Sequence, residues 1–275
     1  MKSILIVKEG FQMGDLLIYA LVVLLATASG SSTGLGGGVV IKPLFDIVSN
    51  APTATINFYS SLAVFIMAIV ALGKQLRQRF KFDVKSLLTI SIGSVIGGFI
   101  GQRLLRLTVT VMPAAHVKVL QSAMLFIMLV SVLIYNFVKK RLASFHLKNI
   151  LLILVVGIGL GTFSVFLGIG GGPINVALTM LLFSFSLREA AVYSVGIIFF
   201  SQLTKMVTIA VSPVKPTISL TVAVVVVIAA IAGGFLGTWI NRHASCRVLN
   251  QIYNVLLCAL VCVTLFNTFH YAGVI

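Results

Sequence analysis

The sequence predicts an all-α polytopic membrane protein built of two homologous halves. Three observations predict it. Of the 275 residues, 59% are hydrophobic and only 9% are charged, whereas a soluble domain carries about 25% charged residues. The mean hydropathy of +1.16 comes from successive charge-free runs, each near the roughly 20 apolar residues that span a bilayer as helix. The second half of the chain also repeats the marks of the first.

The spans, in order, are Leu16–Thr33, Thr53–Gly73, Ser86–Gln102, Val119–Val138, Asn149–Leu167, Ala190–Val211, Thr217–Ile240 and Val248–Phe269, and Lys205 interrupts the sixth. The first should act as an uncleaved signal anchor. Ile4–Val7 is too short for a signal-peptide core, and Lys8, Glu9 and Asp15 break it up. Two apolar segments are left over, Val39–Asn50 and Pro173–Ser186, of 12 and 14 residues. At about 1.5 Å per residue the longer reaches about 21 Å, short of the roughly 30 Å hydrocarbon core. Each adjoins a glycine cluster, Gly34-Leu35-Gly36-Gly37-Gly38 or Gly168-Ile169-Gly170-Gly171-Gly172, and Pro43 and Pro173 come shortly after. Both residue types disfavour a helix interior. Eight spans and two short, broken or re-entrant half-helices are therefore expected. The backbone at each break must be buried or line a cavity.

Two topologies remain open. Re-entrant half-helices would leave both termini cytoplasmic. Crossing half-helices would give ten segments, inverted halves and both termini outside. Loop charge barely separates the two, and the shortness of the half-helices favours the re-entrant form.

The repeat is read from matched blocks. GLGGG at 34–38 pairs with GIGGG at 168–172. Gly97-Gly98-Phe99-Ile100-Gly101 pairs with Gly233-Gly234-Phe235-Leu236-Gly237, Arg106 with Arg242, and Lys118-Val119-Leu120 with Arg247-Val248-Leu249. The halves divide as residues 1–145 and 146–275. Paired, interrupted segments in corresponding halves are the sequence mark of a transporter site.

A net charge of +15 does not point to nucleic acid. The basic residues sit in short clusters beside apolar runs, as in Lys139-Lys140-Arg141, which suits loops facing anionic membrane lipids. The three cysteines have no metal-ligand spacing, and Cys258 and Cys262 read as packing residues. There is no HExxH or Walker A motif. GLGGGVV lacks the strand–turn–helix setting of a nucleotide loop. Neither an enzyme nor a cofactor is expected.

A helix N-terminus in a dry core offers free N–H groups and a partial positive charge. Two half-helices starting after GxGGG can aim both at one small anion. The rival reading is that the glycines only let helices pack closely. Pro173 suits a first helical turn, where its missing N–H would be unpaired anyway. Lys42 could neutralise the anion or pair with Asp46 one turn later. Lys205 could bind it or snorkel to the interface. Asn57, Asn175, Tyr193, Ser194 and Gln202 could donate hydrogen bonds to its oxygens.

The doubled GxGGG, with Pro43 beyond the first copy, and the GGFIG and GGFLG pair resemble the sulfite exporter TauE/SafE family of membrane permeases, over residues 14–270. The resemblance implies a secondary transporter for sulfite, sulfoacetate, thiosulfate and related organosulfonates. Its motif covers Gly34, Gly36, Gly37, Gly38, Pro43, Gly168, Gly170, Gly171 and Gly172. Pro173 follows its glycines directly and Val176–Met180 has no match for Pro43, so the half-sites differ. The expectation is an inner-membrane permease that holds a small anion by alternating access, with a proton or another ion for coupling and membrane lipids as its surroundings. An anion channel is the alternative within transport, and a scaffold or sensor subunit the alternative outside it.

Overall fold

A computed structural model describes residues 13–48, 52–77, 84–138, 147, 149–168, 170–212 and 216–272. Ten helices are described: α1 (Met13–Thr33), α2 (Gly38–Val48), α3 (Thr53–Arg77), α4 (Val84–Val111), α5 (Ala114–Val138), α6 (Ile150–Leu167), α7 (Gly172–Phe183), α8 (Leu187–Val211), α9 (Leu220–His243) and α10 (Cys246–Tyr271). Eight are long and apolar enough to cross a membrane. The two short helices, α2 and α7, are the segments that follow the glycine clusters. The expected all-α polytopic membrane fold is the one observed.

Local chemistry sets the boundaries. Asn149 caps α6 by accepting from the Leu151 and Leu152 N–H groups, and left-handed Gly168 ends that helix. Ser186 and Glu189 form a reciprocal capping box at the start of α8, which satisfies donors that a helix leaves free.

Two parallel helix pairs run through the bundle. A Cβ on Gly93 would meet Leu154 and Gly157, and one on Gly97 would meet Ile158 and Thr162, so α4 and α6 ascend together. A Cβ on Gly233 would meet Leu24 and Thr27, and one on Gly237 would meet Ala28 and Ser31, so α1 and α9 do the same. Each pair joins the fourth helix of one five-helix series to the first of the other. Small residues let the backbones touch where lipid offers no hydrophobic drive for association. At Gly97 a Cβ would lie 2.0 Å from the Ile158 carbonyl oxygen.

Polar contacts fix the directions. Asn241 donates to the Ser32 carbonyl at 2.6 Å, so α1 and α9 end together. Thr55 donates to the Thr217 carbonyl at 3.1 Å and the Ser219 N–H to the Tyr59 hydroxyl at 2.7 Å, so α3 begins where α9 begins. The chain therefore recrosses the bundle between α1 and α3. The second series does the same: the Leu147 N–H, ahead of α6, donates to Leu182 at the end of α7, at 2.9 Å. Eighteen residues of α6 cover about 27 Å and twelve of α7 about 18 Å. The left-handed glycines Gly168, Gly170 and Gly171 lie between the two helices. These contacts fit the ten-segment, inverted arrangement, and the preference for a re-entrant return gives way to it. The short helices look re-entrant in the sequence because part of each crossing is made by non-helical glycine backbone.

We call the end of the bundle where α1 begins and α10 ends the terminal face, and the other the opposite face. The core lies around α1, α3 and α8, with a second cluster between α5, α7 and α10.

Candidate functional site

The two glycine breaks meet inside the bundle. A Cβ on Gly172 would stand 1.7 Å from the Leu35 carbonyl oxygen, and one on Gly34 would stand 2.5 Å from the Ala191 Cα. Gly34, Gly36, Gly168, Gly170 and Gly171 all have positive φ, between 63° and 82°, which a side chain would strain. Gly37 packs on Ala26, and Gly38 opens α2. The breaks thus serve close packing, as the rival reading had it. They also bring the N-termini of α2 and α7 together, and the two helices leave in opposite directions. Pro173 sits in the first turn of α7, while Pro43 lies within α2. Both helix starts carry N–H groups and the positive end of a helix dipole.

Charge gathers at the second break. Lys205 is 3% exposed, and its ammonium has no hydrogen-bond partner among the described residues. It shares the inward face of α8 with Ser194, Ser201 and Gln202, all buried. The Gln202 Oε1 is also unpartnered, and its Nε2 would lie 3.1 Å from a Cβ on Gly170. A Cβ on Gly168 would meet the Asn57 Oδ1 at 3.0 Å and the Lys42 Nζ at 3.3 Å. The Asn57 Oδ1 has no partner, nor has either polar atom of fully buried Asn175. Buried polar groups are normally bonded, so this cluster of unmet atoms beside bare glycine backbone is unusual.

The lysines differ. The Lys42 ammonium donates to Gln121 Oε1 at 2.9 Å and to the Leu167 carbonyl at 3.0 Å. Gln121 in turn donates to the Phe166 carbonyl at 2.6 Å. These carbonyls end α6, where a cation complements the dipole. The expected Lys42–Asp46 pair cannot be placed, since the Asp46 side chain lies outside the described residues. One expected donor is spent on the breaks themselves. Ser194 donates to the Gly34 carbonyl at 2.6 Å and reaches the Gly172 carbonyl at 3.5 Å, so it ties the breaks together. Tyr193 lies against Phe185, ring centroids 4.5 Å apart. Gln121 and Ser164, which is 3.5 Å from Ser201, are site neighbours that the sequence reading missed. An amide near the start of the apolar run Val119–Val138, one of two there with Asn136, was the available signal for Gln121.

A multi-pass α-helical bundle with paired helix breaks at its centre is an architecture that many membrane transporters share. The chain belongs to the sulfite exporter TauE/SafE family, whose model matches residues 19–264. It is also similar to the probable membrane transporter protein YunE of Bacillus subtilis (strain 168), at 27% identity over 89% of this chain and 95% of that protein. No solved structure matches it.

Proposed function

We propose that the protein is a secondary transporter of small sulfur-containing anions, of the sulfite, sulfoacetate or organosulfonate type, in the cytoplasmic membrane. The observation that carries this reading is Lys205, a buried ammonium without a hydrogen-bond partner among the described residues, on the helix face that meets the second glycine break. A charge is kept in such a place when a ligand of opposite sign completes it. The bare backbone at Gly168 and Gly170 lets an oxyanion approach, Gln202 and Asn57 flank it, and the α7 start contributes its dipole. The family description supports the sulfur-anion class.

In this reading residues 1–145 and 146–275 are two inverted repeats that exchange partners through the α4–α6 and α1–α9 seams. Alternating access is the rocking of these seams about the paired breaks. A proton or another ion accompanies the anion.

The test is thermal unfolding of the purified protein with sulfite, thiosulfate, sulfoacetate, taurine, sulfate or chloride, followed by counterflow in proteoliposomes. A ligand of the native state at 100 times its Kd stabilises by about 2.7 kcal/mol. A sulfur anion should raise the Tm of the parent but not of Lys205→Met, and should show saturable counterflow. Conductance without counterflow would favour the channel. No stabilisation by any of the six would overturn the assignment.

A further inference from the structure

A pocket near the terminal face, between α2, α5 and α10, lies beside that site. Its described lining includes Lys42, Lys118, Gln121, Ser122, Thr264 and Asn267, two of them lysines and none acidic. Lys118 stands at the start of α5 with its ammonium 5.0 Å from the centre of the Tyr271 ring. The deep wall is Lys42, Gln121 and Leu167, the same three groups that clasp the end of α6. The other side of this clasp is the second break, since Lys42 also faces Gly168. One buried lysine thus borders both compartments.

We propose that this pocket is an outer anion subsite, through which the substrate reaches the central site from the terminal face, with Lys42 as the latch between them. The inference rests on the transport reading above. An oxyanion drawn in by Lys118 meets amide and hydroxyl groups and then the Lys42 ammonium. As Lys42 turns to the anion, it releases the Leu167 carbonyl. The last turn of α6 loses its cation just where the chain hinges into α7. Arrival of the anion is thereby coupled to loosening of the break. The position of Lys42 in α2 has no lysine counterpart in α7, so the latch serves one face only.

The experiment uses the full protein in proteoliposomes, with sulfite uptake measured from the terminal face and binding measured by thermal stabilisation. Lys118→Gln should raise the KM for uptake by about three- to tenfold, by loss of steering, and flatten its salt dependence. The sulfite concentration that half-stabilises the protein should stay unchanged. Gln121→Leu should alter kcat, because it frees one end of the latch. Lys74→Gln, at the opposite face, is the charge control and should leave uptake alone. If sulfite binds but Lys118→Gln has the KM and salt response of the parent, the subsite is wrong and the central site stands. If Lys118→Gln also weakens stabilisation by the same factor, there is one site, not two. If no sulfur anion stabilises the parent, both readings fall together.

Discussion

At the residue scale, the glycines separate into those the fold needs and those it does not. Gly172→Ala would place a methyl within bonding range of the Leu35 carbonyl. The helix start must shift, and we expect loss of folded protein on size-exclusion chromatography. Gly159 lies within α6 with nothing within 4 Å of where a Cβ would stand. Gly159→Ala should be neutral or stabilising, by up to about 1 kcal/mol, because alanine holds a helix better. Thermal unfolding in detergent compares the two, and equal losses would mean that contact at the breaks is not what selects glycine. Lys205→Met is the converse case. It removes an uncompensated buried charge, so it should unfold later than the parent, by about 1–4 kcal/mol if it resembles other replacements of buried charge by apolar side chains. It should nevertheless carry no anion. A variant both less stable and inactive would argue that Lys205 has a structural partner, and the central site would lose its cation.

At the element scale, the two seams are equivalent in construction and should respond alike. Gly97→Val on α4 and Gly237→Val on α9 each drive a branched side chain into a carbonyl 2.0 Å from the Cβ position, that of Ile158 or of Ala28. Both should lower the Tm by similar amounts, whereas a change at one seam only would show that the halves carry unequal loads. The spacing of these glycines was legible in the sequence, and so were all eight spans, because apolar length and glycine periodicity are local signals. GGFIG and GGFLG were read as a family mark, though, rather than as two packing seams, since a sequence does not state which helix meets which. The half-helices were found for the same local reasons, but their direction was not. Direction rests on contacts such as Leu147 to Leu182 and Thr55 to Thr217, which join residues distant in sequence. The site followed the same rule. Lys205 and Gln202 stood out as polar groups in an apolar run, while the Lys42–Gln121 clasp links helices 79 positions apart in the chain and was invisible until they were packed.

At the scale of the whole molecule, the recrossing half-helices put the start of α1 and the end of α10 on one face, and charge then orients the bundle. Among the described residues, Lys74, Arg77, Lys85, Arg188, Arg242 and Arg247 lie at helix ends on the opposite face, against Arg103, Arg106 and Lys118 toward the terminal face. By the positive-inside rule we expect the opposite face to lie in the cytoplasm and the start of α1 and the end of α10 outside. Cys246 reports on this directly. It is exposed at the start of α10 on the opposite face, while Cys258 and Cys262 lie three and four turns further along the same helix. In a Cys258→Ala, Cys262→Ala background, a membrane-impermeant maleimide should label Cys246 only after the cells are permeabilised. An epitope tag added at the amino terminus should be reached by antibody on intact cells. Labelling of Cys246 in intact cells with the tag hidden would restore the arrangement in which both half-helices turn back and both ends of the bundle's chain face the cytoplasm, and would overturn the inversion. Cys246 and the tag accessible from the same side would mean that one half-helix turns back rather than crosses. The outer subsite at Lys118 would then have to be sought relative to a different face, because the route from the terminal face to Lys42 exists only if α2 and α7 both carry the chain through.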